Sequence, residues 1–374
     1  MNRFIDRELV ILATLVAVTM AVFLGTRRFA AANDLMRRRD AEAWYAIGDG
    51  ALKKGDVHTA VPAFRRAAAK NPDDAHYRRT LAAALMASHD DDAALQLLLD
   101  LHDQRADDAE TDLQLARLEA RRGDRPAAGR YYQTAIVALW RAAERPARQE
   151  VRREFIKFLL EHGERDRALS ELLVLETGLS QDVPSQVSAA TMLLAAGDAR
   201  RALDHFDAAL RVSPSDVQAL SGAAESSFEL GDYARTQRYL RHIAADSDRT
   251  RELRAVTTLV LTGDPLMARL PIAERRRRLA DWLSHVLGRL ETCQMQAIVT
   301  RPETTADLDA VLTEARTLDA AVASRSGFRS SDDVEAAFEV VYRGTRAADR
   351  ICDSSAPRDR ALRLIGRRHG LEPQ

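Results

Sequence analysis

Cys293 and Cys352 are the residues of this chain best placed for covalent chemistry, and they are its only two cysteines. Cys293 falls on the apolar stripe of a helix predicted over residues 273–297. Cys352 lies beside the edge of another, predicted over 331–351. If those helices pack together, an oxidising compartment would join the pair as a disulfide, and a reducing one would leave two buried thiols. Both states stay open at this level. No Cys-x-x-Cys pair and no basic activator accompanies either residue, so neither redox nor nucleophilic catalysis is indicated. No phosphate loop, dinucleotide fingerprint, zinc-protease helix or hydrolase elbow occurs either. His58, His89 and His162 fall in or near predicted turns. Asp90, Asp91 and Asp92 sit where carboxylates cap a helix. Four consecutive arginines, Arg275 to Arg278, point around a whole helix circumference and read as a solvated helix start. The expectation is a protein that is not an enzyme, with no catalytic residues, cofactor or metal.

The informative features are therefore the elements. Of 374 residues, 46% are apolar but only 5% aromatic, and Gly and Pro are few. That balance suits packed helices and argues against sheets. The net charge of −1 supplies no field for nucleic acid, so no nucleic-acid partner is expected.

Residues 9–25 carry no charge, and as a helix these 17 residues span about 25 Å. That is short but workable for a bilayer core of roughly 30 Å, with Arg7 and Arg27 placed to snorkel at its two edges. A cleaved signal is disfavoured because Arg27, Arg28 and Phe29 intervene before the small residues Ala30 to Ala32. A buried core helix would show a polar stripe, and this run is apolar all round. The reading is an uncleaved single-span anchor, of the kind found in a bacterial inner membrane. Its orientation is ambiguous. Arg27, Arg28 and Arg37 to Arg39 outnumber Arg3 and Arg7, which favours a cytoplasmic C-terminal side, yet long domains translocate largely regardless of nearby charge.

After a linker over 30–40, the chain repeats itself. In the first unit Trp44, Gly48, Gly55-Asp56, Ala60, Phe64, Ala67 and Pro72 mark a two-helix repeat. The pattern recurs with one insertion: Leu81, Ala82, Leu85, Ala94 and Leu98; then Leu115, Ala116, Gly123-Asp124, Ala128 and Tyr132; then Phe155, Leu159, Gly163, Ala168 and Leu172. Ala190, Gly197-Asp198, Ala202, Phe206 and Pro214 make a fifth unit, and Leu220, Ala224 and Gly231-Asp232 a sixth. Small residues let paired helices approach, Gly-Asp turns the chain, and Pro stops the second helix. This 34-residue pattern resembles the tetratricopeptide repeat family.

The resemblance implies a helical solenoid that binds a protein or peptide in a groove lined by the first helix of each repeat. Carried onto this sequence, it points to Tyr45, Asp49, Arg79, Arg117, Arg121, Arg153, Lys157, Thr191 and Phe228. The middle of such a groove is basic and one end apolar, which suits an acidic segment with an apolar anchor. The alternative is an Arg-rich solvated helix face. The asparagines that repeat proteins use to clamp a C-terminal carboxylate are absent from the matching positions.

A capping helix over 251–262 is expected to close the array. Helices of different character follow over 273–297, 305–324 and 331–351, with breaks at 301–303 and 326–329, and a short helix opens at Pro357. The whole reads as all-α: an anchor over 1–29, a linker over 30–40, about six repeats with their cap over 41–263, and a C-terminal helical bundle over 264–374. The expected function is a membrane-anchored scaffold or adaptor, of the kind that serves bacterial envelope assembly. The alternatives are a subunit of an enzyme complex with its site in the C-terminal helices, and a structural homo-oligomer.

Overall fold

A computed structural model describes residues 2–105, 107–138, 140, 145–244, 247–300, 305–324, 328–352 and 356–371. The breaks expected at 301–303 and 326–327 lie outside these residues, as do residues 143–144 of the insertion after the third repeat; the rest of that insertion, with Pro146, opens the helix Arg145–Glu161. Among the described residues there are helices and no strands, as the sequence predicts. The chain forms two compact units, Met1–Phe158 and Leu159–Gln374.

The first unit holds α1 (Asn2–Lys53), α2 (Val57–Lys70), α3 (Ala75–Ala87), α4 (Asp91–Gln104), α5 (Ala109–Arg122), α6 (Arg125–Val137) and most of α7 (Arg145–Glu161). The apolar run, the expected linker and the first helix of the first repeat form one uninterrupted helix, α1. No proline interrupts residues 2–53, and the Gly48-Asp49 pair stays helical, so the hydrogen-bond ladder is not broken. Its part from Thr14 is long and apolar enough to cross a membrane, and the side chains of Leu15, Val18, Val22 and Phe23 are exposed along it.

The repeats are legible in the backbone. Position fifteen of the six units is Gly55, His89, Gly123, Gly163, Gly197 and Gly231, with φ of 77°, 62°, 85°, 76°, 95° and 74°. The next residue caps the second helix: Asp56, Asp90, Asp124, Asp198 and Asp232 each accept a backbone N–H three residues on. Glu164, in the fourth unit, makes no such bond. The left-handed turn reverses the chain, and the carboxylate satisfies an N–H that the new helix leaves unpaired.

His89 stands alone in filling that left-handed position with a side chain. It is exposed, so it gains little packing there. A left-handed non-glycine residue costs about 1 kcal/mol or more. His89→Gly is therefore expected to raise the unfolding free energy by about 1 kcal/mol, read as a higher urea midpoint at unchanged slope. A lowered midpoint would show that the imidazole holds something in place.

Close helix contact also depends on small residues. A Cβ on Gly48 would stand 2.7 Å from the Phe64 ring, and Phe64 is 1% exposed.

The second unit continues with α8 (Arg165–Glu176), α9 (Val183–Ala196), α10 (Ala199–Val212), α11 (Val217–Glu229) and α12 (Tyr233–Arg241). Then come α13 (Asp248–Gly263), α14 (Ile272–Thr300), α15 (Thr305–Ala323), α16 (Ser331–Asp349) and α17 (Pro357–Arg368). One apolar core runs from Leu220 and Phe228 in the sixth repeat, through Val256 and Val260 in α13, to Trp282, Phe338 and Ile365. Gly263 packs against Trp282 of this core, and Asp264 is buried beside it. A polar network accompanies it: buried Asp359 meets His285 at 2.7 Å, and Arg289 reaches Asp349 at 2.7 Å.

The arginine run is more engaged than a solvated helix start. Arg275 donates to the carbonyls of Met267 (2.9 Å) and Leu270 (3.2 Å), and Arg278 to that of Asp264 (3.1 Å). These bonds fasten the connection between α13 and α14. Glu274 accepts from Arg277 and Arg278, which hold its carboxyl down to about 2.

Candidate partner-binding face

In the first unit, the first helix of each repeat carries the residues expected to line a groove. Tyr45 is half-buried, its ring 5.7 Å from Phe64, 5.1 Å from His76 and 5.8 Å from Tyr77. Asp49 pairs with Lys53 one turn on, at 2.7 Å.

Three of the four arginines bridge helices. Arg79 in α3 binds Asp108 and Glu110 at the start of α5. Arg117 in α5 grips Glu154 of α7 through both oxygens, at 2.7 and 2.6 Å. Arg121 bonds the Met86 carbonyl at 2.8 Å and the Asp91 carboxylate. Arg153 pairs with Glu150 on its own helix. Lys157 is exposed and acts electrostatically on Glu154. The structure thus gathers Arg117 and Lys157 around one carboxylate and gives Arg79, Arg121 and Arg153 their own acids. The expected basic stretch is largely neutralised by the chain itself.

Thr191 and Phe228 belong to the second unit. Thr191 is exposed and returns its hydroxyl to the Val187 carbonyl at 2.8 Å. Phe228 is only 4% exposed, packed edge-on to Tyr233 at 5.4 Å. An apolar residue at a helix end next to a packing neighbour is drawn under it, so Phe228 offers no open anchor.

Glu154 is the residue of this face that the residue pattern did not single out. It accepts from Tyr132 at 2.9 Å as well as from Arg117. Burial pushes its carboxyl up, but the Arg117 and Tyr132 bonds outweigh burial and hold it below the ordinary range. The available signal was opposite charges about one repeat apart on successive first helices: Arg79 with Glu110, Arg117 with Glu154.

A depressed carboxyl stabilises the fold above its unfolded value of 4.5, and that stability is lost as pH falls through the folded value. Asp112 has the opposite sign. It is buried beside His102 (2.7 Å), and burial raises its carboxyl, so it favours folding at low pH and loses that contribution as pH rises. Comparing Glu154→Gln with the parent isolates the first term. The variant is expected to lose up to about 1 kcal/mol at pH 7, because the pair is partly exposed. The two proteins should converge as pH falls below 4.5. A constant difference across that window would mean that the carboxylate charge is not what stabilises.

Cys293 and Cys352 are brought together. Cys293 is buried in α14, Cys352 follows α16, and their Cα atoms are 5.7 Å apart. Among the described residues no group of three or more His, Cys, Asp or Glu is arranged to hold a metal.

Comparison with known proteins places the repeats. Residues 51–121 and residues 188–247 each match the tetratricopeptide repeat family, so the chain carries tetratricopeptide repeats in both units. No protein of curated function matches the chain by sequence. Among solved structures, it is similar to a tetratricopeptide repeat protein from Parabacteroides merdae ATCC 43184, at 16% identity, with 64% of this chain and 91% of that one covered and a TM-score of 0.42. It is also similar to PilW, described as a widely conserved type IV pilus biogenesis factor, at 16% identity, 56% and 96% coverage and a TM-score of 0.42. A third is YrrB, described as a repeat protein with an unusual peptide-binding site, at 16% identity, 49% and 91% coverage and a TM-score of 0.40.

Proposed function

We propose that this protein is a single-span, membrane-tethered scaffold whose repeats hold an extended segment of a partner protein, in a bacterial envelope. The observation that carries the reading is the continuity of α1. One helix contains both an exposed apolar run and the first helix of a repeat. The 16 residues from Gly25 to Ala41 rise about 24 Å, which would stand the first repeat clear of the lipid headgroups on a stiff support. Tetratricopeptide repeats mediate protein–protein contacts.

An acidic segment is the favoured partner. Arg117 is half-exposed in its pair with Glu154, and Lys157 stands beside it. Exposed pairs of this kind are worth at most about 1 kcal/mol, so a partner carboxylate can displace or share the chain's own. The soluble part is placed on the oxidising side of the membrane. Support comes from the two cysteines, whose Cα separation of 5.7 Å falls within the range that a disulfide spans. The arginines after the apolar run do not oppose this, because a long domain translocates regardless of them.

Two measurements test the reading. Alkaline phosphatase fused at the C-terminus is expected to be active in cells, whereas a fluorescent protein that matures only in the cytoplasm is expected to stay dark there. Affinity capture from detergent-solubilised membranes is expected to lose its specific partner when Arg117 and Lys157 are both reversed to Glu. Full recovery with that double variant, its helix content unchanged, would sink the groove assignment.

A further inference from the structure

Beyond its apolar run, α1 carries a face that nothing in its own chain covers. Residues 14–40 are exposed apart from Asp34, which bonds Arg37 and Arg38 of its own helix. Gly25, Phe29, Ala32, Met36, Arg39 and Ala43 follow one another at alternating steps of four and three residues. That spacing sets a seam along a helix that pairs with another. Phe29 is 77% exposed and Met36 60%. Arg27, Asp34 and Arg38 fall on the opposite side of the helix.

The seam runs on into the first repeat. There α2 packs on the side of α1 that holds Ala41 and Gly48, both buried. Ala43, Ala46 and Ile47 lie outside that contact and are exposed, and a Cβ added to Gly50 would meet nothing within 4 Å. In a solenoid the outer face of a terminal repeat needs a polar surface or a cap. Here it is apolar and open. A helix in a protein draws most of its stability from packing an apolar face, and this one is unpacked.

The charges beside the seam select the occupant. Arg39 and Asp40 stand three and four residues past Met36, so they flank it on opposite sides. Asp40 accepts from Lys70 at 2.9 Å. Arg37 and Arg38 are bound to Asp34, whereas Arg39 has no acid of its own among the described residues. Turned about a two-fold axis parallel to the helix, this face presents each Arg39 to the Asp40 of the other copy. Self-complementarity is what an isologous contact requires, and an unrelated partner requires no such arrangement. Two copies anchored by the same apolar run also lie parallel and at the same height, so Phe29 meets Phe29 and Met36 meets Met36.

We infer that α1 pairs with the α1 of a second copy of this chain, as a parallel two-stranded coiled coil through Phe29, Ala32 and Met36 that ends against Ala43 and Ile47 of the first repeat. The pairing rests on the membrane-tether reading above. Lipid does not cover this face. Met36 stands about 16 Å along the helix from Gly25, past a headgroup layer of roughly 5–8 Å. The pairing covers the open end of each array and sets two partner-binding faces on one support.

The test uses the full chain in isolated membranes. Phe29→Cys and Met36→Cys are oxidised with copper phenanthroline beside Ala31→Cys and Arg38→Cys, from the far side of α1, and beside the parent chain, whose native cysteines set the background. Disulfide-linked dimer is expected to be at least about fivefold more abundant from the first two than from the second two. The native sequence gives an independent reading. Of two copies carrying different tags and made together, each is expected to recover the other from detergent. Arg39→Asp is expected to reduce that recovery about fivefold, because two exposed charge pairs turn repulsive, and adding Asp40→Arg to it is expected to restore recovery. Equal cross-linking on both sides of α1 would overturn the pairing. So would failure of the tagged copies to recover each other, or a Met36→Cys adduct formed only with a protein of another mass. A carbonate wash separates the two readings. A parent chain that the wash releases ends the tether reading and the pairing with it, whereas a retained chain without selective cross-links ends the pairing alone.

Discussion

Trp282→Ala is expected to lower the unfolding free energy of the second unit by about 3–5 kcal/mol, the cost of deleting a fully buried large aromatic side chain. Trp282 is 1% exposed. Its indole N–H donates to the Gly263 carbonyl at 2.8 Å, and the Arg358 guanidinium lies 5.2 Å over its ring. A Cβ on Gly263 would stand 2.9 Å from the same ring, so the indole fills the angle between α13 and α14 without slack. Alanine would leave both a cavity and an unsatisfied carbonyl. Because one core joins the sixth repeat to the C-terminal helices, the loss should be shared. Amides of α11 and α12 are expected to exchange faster together with those of α14 and α16, measured by hydrogen exchange. The other tryptophans, Trp44 and Trp140, lie in the first unit, so indole fluorescence of the variant reports that unit separately. Unchanged protection in α11 and α12 beside a melted tail would show two independent folding units where we describe one core.

Replacing both cysteines by serine is expected to cost about 4 kcal/mol in oxidising buffer. The bridge proposed between Cys293 and Cys352 closes a loop with a sequence separation of 59. Chain-entropy reasoning assigns a closed loop of that size about 4 kcal/mol, chiefly by constraining the unfolded chain. The parent protein with excess dithiothreitol should then unfold at the midpoint of the serine variant. Peptides linked through these two residues should appear in a non-reducing digest of protein isolated from cells without reductant. Identical midpoints with and without reductant would remove the disulfide, and with it the main support for placing the soluble part in an oxidising compartment.

The repeat was legible because its determinants are local. Gly55-Asp56, Gly123-Asp124, Gly197-Asp198 and Gly231-Asp232 each specify a left-handed turn and a helix cap within a few residues. His89-Asp90 does the same with the less suitable residue, so spacing could have marked it where residue type did not. The C-terminal helices were legible for the same reason. The apolar stripe expected over 273–297 lies on α14, and Pro357 opens α17 as its first-turn residue.

The charges behaved differently. A basic stretch inferred from Arg79, Arg117, Arg121 and Arg153 ignores the acids that each one meets, and all but Glu150 come from another helix. Electrostatic character is a sum over neighbours, and a list of arginines omits half the terms.

The sequence by itself determined that this protein is helical, that two-helix units recur with a shared turn, and that an apolar run precedes them. Turns, caps and amphipathic stripes are set by residues within one or two helical turns of each other, so a linear reading contains their causes. Only the tertiary structure decided which arginines are spent on internal acids and that the sixth repeat and the tail share a core. It also placed Tyr233 opposite α17. Those outcomes join Tyr233 to Arg367, Arg360 to Glu252 and His369 to Asp264. Such pairs lie more than 100 residues apart along the chain, where no local periodicity specifies that they will meet.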